Sequence, residues 1–118
     1  MEKKDPKYLG IPNICFSLSD NEDPREEQFS IQRKIRGFDD SETWSLRDTI
    51  GNFILPRLKT FKDIHNNGNG YDENIDLSIR AFELLVRDNG AFELTEEEEI
   101  EYDKGMKAFN EIFLELWW

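Results

Sequence analysis

The closing stretch "YDKGMKAFNEIFLELWW" constrains the fold more than any other. Tyr102, Met106, Phe109, Phe113 and Leu116 recur there at alternating four- and three-residue steps, with Trp117 beside them. That spacing lines side chains along one face of an α-helix. A helix with one apolar face needs other elements to cover it.

The preceding sequence reads as more helices. Thr95 with Glu98 three residues on is a capping box, and the acids of "EEEE" suit the positive end of the helix dipole. From 72 to about 88, Ile75, Ile79, Phe82 and Val86 share a face, and Gly90 is a stop. Further upstream, Leu46, Ile50, Phe53, Ile54, Leu58, Phe61 and Ile64 or His65 form another stripe, opened by a cap at Asp40 or Ser41 with Glu42 on the dipole. Pro56 interrupts it; with no N–H to bond the carbonyl of Asn52, it predicts a kink or a break.

Pro24 followed by "REEQFSIQRKIR" is a first helix, with Glu26 and Glu27 in its opening turn and Gly37 as its stop. Residues 1–24 hold Pro6, Pro12 and the polar cluster "SDNEDP"; their apolar piece "IPNICFSL" is a short strand or an extended arm. The predicted fold is therefore all-α: an antiparallel helical bundle of about four helices over residues 25–118, preceded by a short extended N-terminal arm over residues 1–24. No internal repeat is visible.

Charge narrows the function. The net charge of −11 on 118 residues disfavours direct binding to nucleic acid or to an anionic membrane. Solubility explains it most simply, and mimicry of nucleic acid is the sharper alternative. Cys15 is the only cysteine, so no internal disulfide forms and a reduced compartment fits. The start "MEKKDPKYLG" lacks the apolar core of a signal peptide, and no apolar run approaches the ~18 residues of a membrane span. The expected location is cytosolic.

Catalytic signatures are scarce. No G-x-S-x-G, Walker loop or G-x-G-x-x-G occurs, His65 sits in a polar loop as a surface residue, and Cys15 lies in an apolar segment. The loop "HNNGNGYDENID" overlays a calcium loop through Asn67, Asn69 and Gly70. However, His65 stands where Asp is wanted and Asp76 where a bidentate Glu is wanted. Asp39, Asp40 and Glu42 read as a helix cap before they read as a metal site, and the acids at 96–99 as a solvated helix start. No cofactor is predicted, and no enzyme.

The segment "IRGFDDSETWSLRDTIGNFILPRLKTFK" stands apart. Between residues 31 and 62 seven basic residues meet four acidic ones, whereas residues 63–118 carry four basic and fifteen acidic. Arg33, Arg36, Arg47, Arg57 and Lys59 could grip phosphate oxygens, with Phe38, Trp44 or Tyr71 stacking on a base. Equally, the basic residues could pair with the chain's own acids and Trp44 could be core, the reading that the residue pattern alone favours.

That segment, an Asn/Gly loop ending "GY", then "AFELL" and the final "YDKGMKAFNEIFLELWW", together resemble a family of small uncharacterised proteins encoded by tailed bacteriophages. The likeness covers about residues 33–118. Matching positions are Arg36, Gly37, Trp44, Pro56, Arg57, Leu58, Lys59 and Trp117. The chain departs from the pattern in carrying Arg47 before Asp48, where an acid usually follows Trp-Ser-Leu directly.

The resemblance implies a viral origin, the host cell cytoplasm and an accessory role such as countering host defence. It turns the expectation toward a homo-oligomeric sponge that sequesters an anionic nucleotide immune signal with Arg33, Arg36, Phe38, Trp44, Arg47, Arg57, Lys59 and Tyr71. The alternative is an acidic inhibitor that covers a basic nucleic-acid-binding surface of a host or phage protein.

Overall fold

The computed structural model describes residues 15–65, 72–87 and 93–117. The chain is all-α. Its helices are α1 (Glu26–Arg36), α2 (Leu46–Ile64), α3 (Asp72–Val86) and α4 (Glu96–Ile112), with 3-10 turns at Asp40–Thr43 and Phe113–Glu115. No described residue is in a strand. The described part of the arm, residues 15–20, is irregular and not a strand.

Two compact units divide within α2, at Met1–Thr49 and Ile50–Trp118.

In the first unit, α1 ends where expected. Gly37 adopts φ +86°, a left-handed conformation that glycine enters without steric cost, and its N–H bonds the carbonyl of Arg33. Phe29 is buried and meets Trp44 edge-on at 5.9 Å. The expected cap at Asp40 or Ser41 is corrected: Asp39 caps the 3-10 turn and Glu42 completes a capping box, while α2 begins only at Leu46. The "DDSET" run offers three capping side chains in a row, and the middle of a helix stripe does not say which is used.

In the second unit, α2, α3 and α4 run antiparallel to their neighbours. Lys59 pairs with Glu83 and Lys62 with Asp76, which sets α2 against α3. Leu58, Phe82 and Leu85 form the core centre, surrounded by Ile54, Leu55, Ile79, Tyr102, Met106, Phe109 and Leu116. Burying each of the larger apolar side chains contributes about 1.5–3 kcal/mol.

The α3–α4 seam is set by small residues. A Cβ on Gly105 would lie 2.3 Å from the Leu77 carbonyl oxygen and 2.6 Å from the Ala81 Cβ. Gly105, Ala108 and Ile112 are accordingly the buried residues of α4.

Two expectations are corrected. Pro56 neither ends nor breaks α2, which is continuous from Leu46 to Ile64. The Arg57 guanidinium reaches back to the Phe53 carbonyl at 2.7 Å, one residue past the Asn52 carbonyl that Pro56 leaves without its N–H donor. In the last stripe, Phe113 touches Phe109 but stays 58% exposed, and Trp117 is 76% exposed. The regular helix gives way to a 3-10 turn at Phe113; beyond it Leu116 still packs on the core while Leu114 and Trp117 face outward.

Candidate functional site

The proposed cationic cluster falls in both units, and each unit is considered alone. In the first unit, Arg33 projects from α1 into the interior, with its side chain 7% exposed, and pairs with Glu26 and Asp39. It is a structural cation. Arg36, one turn on, faces outward and pairs with Asp40 at 2.5 Å. Its guanidinium also donates to the Phe38 carbonyl at 3.0 Å and lies 4.2 Å from the centre of the Phe38 ring.

Hydrogen bonds from Gln32 and Arg36 hold the Asp40 carboxyl below its ordinary range. Trp44 is half exposed and takes the guanidinium of Arg25 over its ring at 4.7 Å. Arg25 itself is gripped by Asp23 through two bonds of 3.1 Å. Arg47 is exposed at the first turn of α2.

In the second unit, Arg57 lies 3.9 Å over the Phe53 ring, and Lys59 faces Glu83 at 3.4 Å. Tyr71, Asn67, Asn69 and Gly70 lie outside the described residues. So does Gly90.

Arg33, Arg36, Arg57 and Lys59 are thus directed to the protein's own carboxylates, carbonyls and rings. Arg33 and Arg36, adjacent on α1, turn to different partners, Asp39 and Asp40, so that their guanidiniums do not frame one anion. Among the described residues, the groove along α1 is lined by Pro24, Arg25, Glu27, Gln28, Ile31 and Gln32, not by the proposed cations.

Sequence reasoning missed Arg25, whose place immediately after Pro24 and before α1 gave no sign that it would cover Trp44. It also missed Glu26 and Ser17 as partners of Arg33 and Asp39. The Asp39…Glu42 spacing was the available signal, because it matches a capping box.

Three other candidates resolve simply. His65 is half-buried, with its ring 4.6 Å from Phe61, rather than a surface residue. Asp39, Asp40 and Glu42 serve the turn and the ion pairs described above. Among the described residues, no three metal-ligating side chains converge.

The acidic helix presents the opposite picture. Glu101 pairs with Arg80 of α3, and Glu98 with Arg87 just after it. The bond from Arg87, with the Thr95 backbone N–H, holds the Glu98 carboxyl down to about 2. Glu96, Glu97, Glu99 and Asp103 are exposed, and among the described residues no ion pair engages them. Exposed Ile100 lies between them. No helix is long and apolar enough to cross a membrane among the described residues.

Comparison with protein-family models, curated proteins and solved structures finds no match.

Proposed function

We propose that the protein is a phage-encoded, non-enzymatic accessory factor that acts by binding, with α4 as its working surface. The partner is a basic protein surface, of the kind that otherwise holds nucleic acid. One observation carries this reading: Arg33, Arg36 and Lys59 are turned to internal carboxylates, while Glu96, Glu97, Glu99 and Asp103 stand exposed on α4, where they outnumber the exposed Lys104 and Lys107. A rigid row of carboxylates offers a basic groove a sequence of charges, and the excess of acid steers the encounter.

The test is affinity capture of a host or phage protein on the immobilised chain, repeated with Glu96, Glu97 and Glu99 all changed to lysine. Loss of a basic partner in the variant, and weakening in salt, support the reading. Retention of the same partners overturns it.

A second reading, sequestration of a nucleotide signal, draws on Arg36 and Phe38. Both are exposed and in contact, and a phosphate replacing Asp40 would find the same guanidinium with a ring beside it. Calorimetric titration with cyclic and linear signalling nucleotides separates the two. Tight binding lost in Arg36→Ala and weakened in Phe38→Ala, with the nucleotide recovered intact, supports sequestration. No heat across the panel removes it for those ligands.

A further inference from the structure

Four consecutive residues of the first unit, 16–19, lie across the turn Asp40–Thr43 and α1, and each donates one hydrogen bond to it. The Phe16 N–H goes to Glu42 at 3.2 Å and the Ser17 hydroxyl to Asp39 at 2.5 Å. The Leu18 N–H goes to the Ser41 hydroxyl oxygen at 2.8 Å, and the Ser19 hydroxyl to Glu26 at 3.0 Å. Ser41 in turn gives its own proton to Asp39, which leaves its lone pairs facing Leu18. Every bond in this series ends on a carboxylate or on a hydroxyl that a carboxylate orients.

The knot beneath holds three carboxylates, Glu26, Asp39 and Glu42, against the single guanidinium of Arg33. Asp39 and Ser41 are 0% exposed and Glu42 is 6% exposed. One buried cation cannot satisfy three carboxylates, so N–H and O–H donors must supply the rest. Residues 16–19 are that supply. The other charged pair nearby, Arg36 with Asp40, faces outward and closes on itself.

We infer that residues 16–19 form a strap that is latched to the turn by ionised carboxylates and released by acid, independently of the α3–α4 pair. A protonated Glu42 would turn an O–H toward the backbone N–H of Phe16 or Asp39, both of which now donate to it. A protonated Asp39 would lose its pairing with Arg33 and one acceptor for Ser17 or Ser41. The buried apolar content of the described first unit is Phe29, and the Arg33 guanidinium also donates to the Ser17 hydroxyl at 3.2 Å.

Burial pushes the Asp39 carboxyl up, but bonds from Ser17, Ser41 and Arg33 outweigh it and leave the group below its ordinary value. A carboxyl lowered in the folded state stabilises the fold fully above its unfolded value of about 4, and that stabilisation fades as pH falls through the lowered value.

The experiment follows backbone amides of the full chain by NMR hydrogen exchange from pH 7 to 2.5, corrected for the intrinsic rate at each pH. The expected result is that Phe16 and Leu18 lose at least about tenfold in protection while Ile79 and Phe82 of α3 keep theirs. A single transition in which all four amides lose protection together overturns the inference, as does a strap that stays protected throughout.

A second measurement uses Glu42→Gln at pH 7, whose amide nitrogen places a donor against one of the two N–H groups. Phe16 should then exchange at neutral pH as it does at low pH in the native chain. Native protection in that variant also overturns the inference. Should the variant not fold, the titration of the native chain decides alone.

Discussion

Replacing Asp39 by alanine would leave the Arg33 guanidinium buried beside an apolar methyl, with Ser17 and Ser41 also short of an acceptor. Removing one partner of a buried ion pair costs about 3–5 kcal/mol, because the remaining charge is stranded away from water. Urea denaturation followed through the amides of residues 16–45 should register a loss of that size in the first unit.

Glycine 105 is the counterpart in the second unit. Alanine there gains about 1 kcal/mol of helix propensity, but its methyl would collide with the Leu77 carbonyl, a backbone atom that cannot swing aside. Overpacking of this kind costs about 1–3 kcal/mol. The expected net result is a lower denaturation midpoint for Gly105→Ala, and an unchanged or higher one would refute the close approach. Neither residue was legible beforehand. Asp39 is the first of two adjacent acids, and which one turns inward depends on Ser17, 22 positions away. Gly105 contributes nothing to an apolar count, so a seam made of missing side chains leaves no periodic signal.

Among the elements, α4 shows how far periodicity reaches. The Thr95–Glu98 capping box and the packing of Tyr102, Met106, Phe109 and Leu116 follow from the spacing that announces them. The face of deepest burial, Gly105, Ala108 and Ile112, lies beside that stripe because α3 approaches on the side where side chains are small. Pro56 misleads in the other direction, since the helix continues from Leu46 to Ile64 through a residue that cannot donate to the Asn52 carbonyl.

Acid titration tests the cap and the α3–α4 pairing together. Glu98 carries a carboxyl lowered to about 2 by Arg87 and the Thr95 N–H, so its contribution is present at neutral pH. That contribution is lost as pH falls from about 4.3, the unfolded value, toward the folded one. Melting temperatures measured from pH 5 to 2 should fall for the native chain and fall less steeply for Glu98→Gln. Thr95→Ala, which removes the other half of the box, should cost about 1 kcal/mol at pH 7, read from chemical denaturation.

At the scale of the whole molecule, a net charge of −11 bears on association more than on fold. If α4 meets a basic partner as proposed, the association rate should drop steeply between low and physiological salt while dissociation changes little. Stopped-flow mixing with the captured partner would measure both. Fold class was readable because helical spacing repeats over four segments and each has its own start or stop residues. The arrangement of charge was not, because a count of bases cannot say where they point. Arg33 and Arg36 differ by three positions and have opposite fates, one sealed beneath residues 16–19 and the other on the surface with Asp40.

The spacing of α3 and α4 also limits how such a protein can diverge. The exposed acids of α4 can be exchanged for one another, or lost singly, at small cost to the fold. Position 105 has no comparable latitude, since any side chain there must push two backbones apart. Lineages descending from this chain should therefore drift in surface charge, and with it in the partners they reach, while the glycine between Lys104 and Met106 stays fixed.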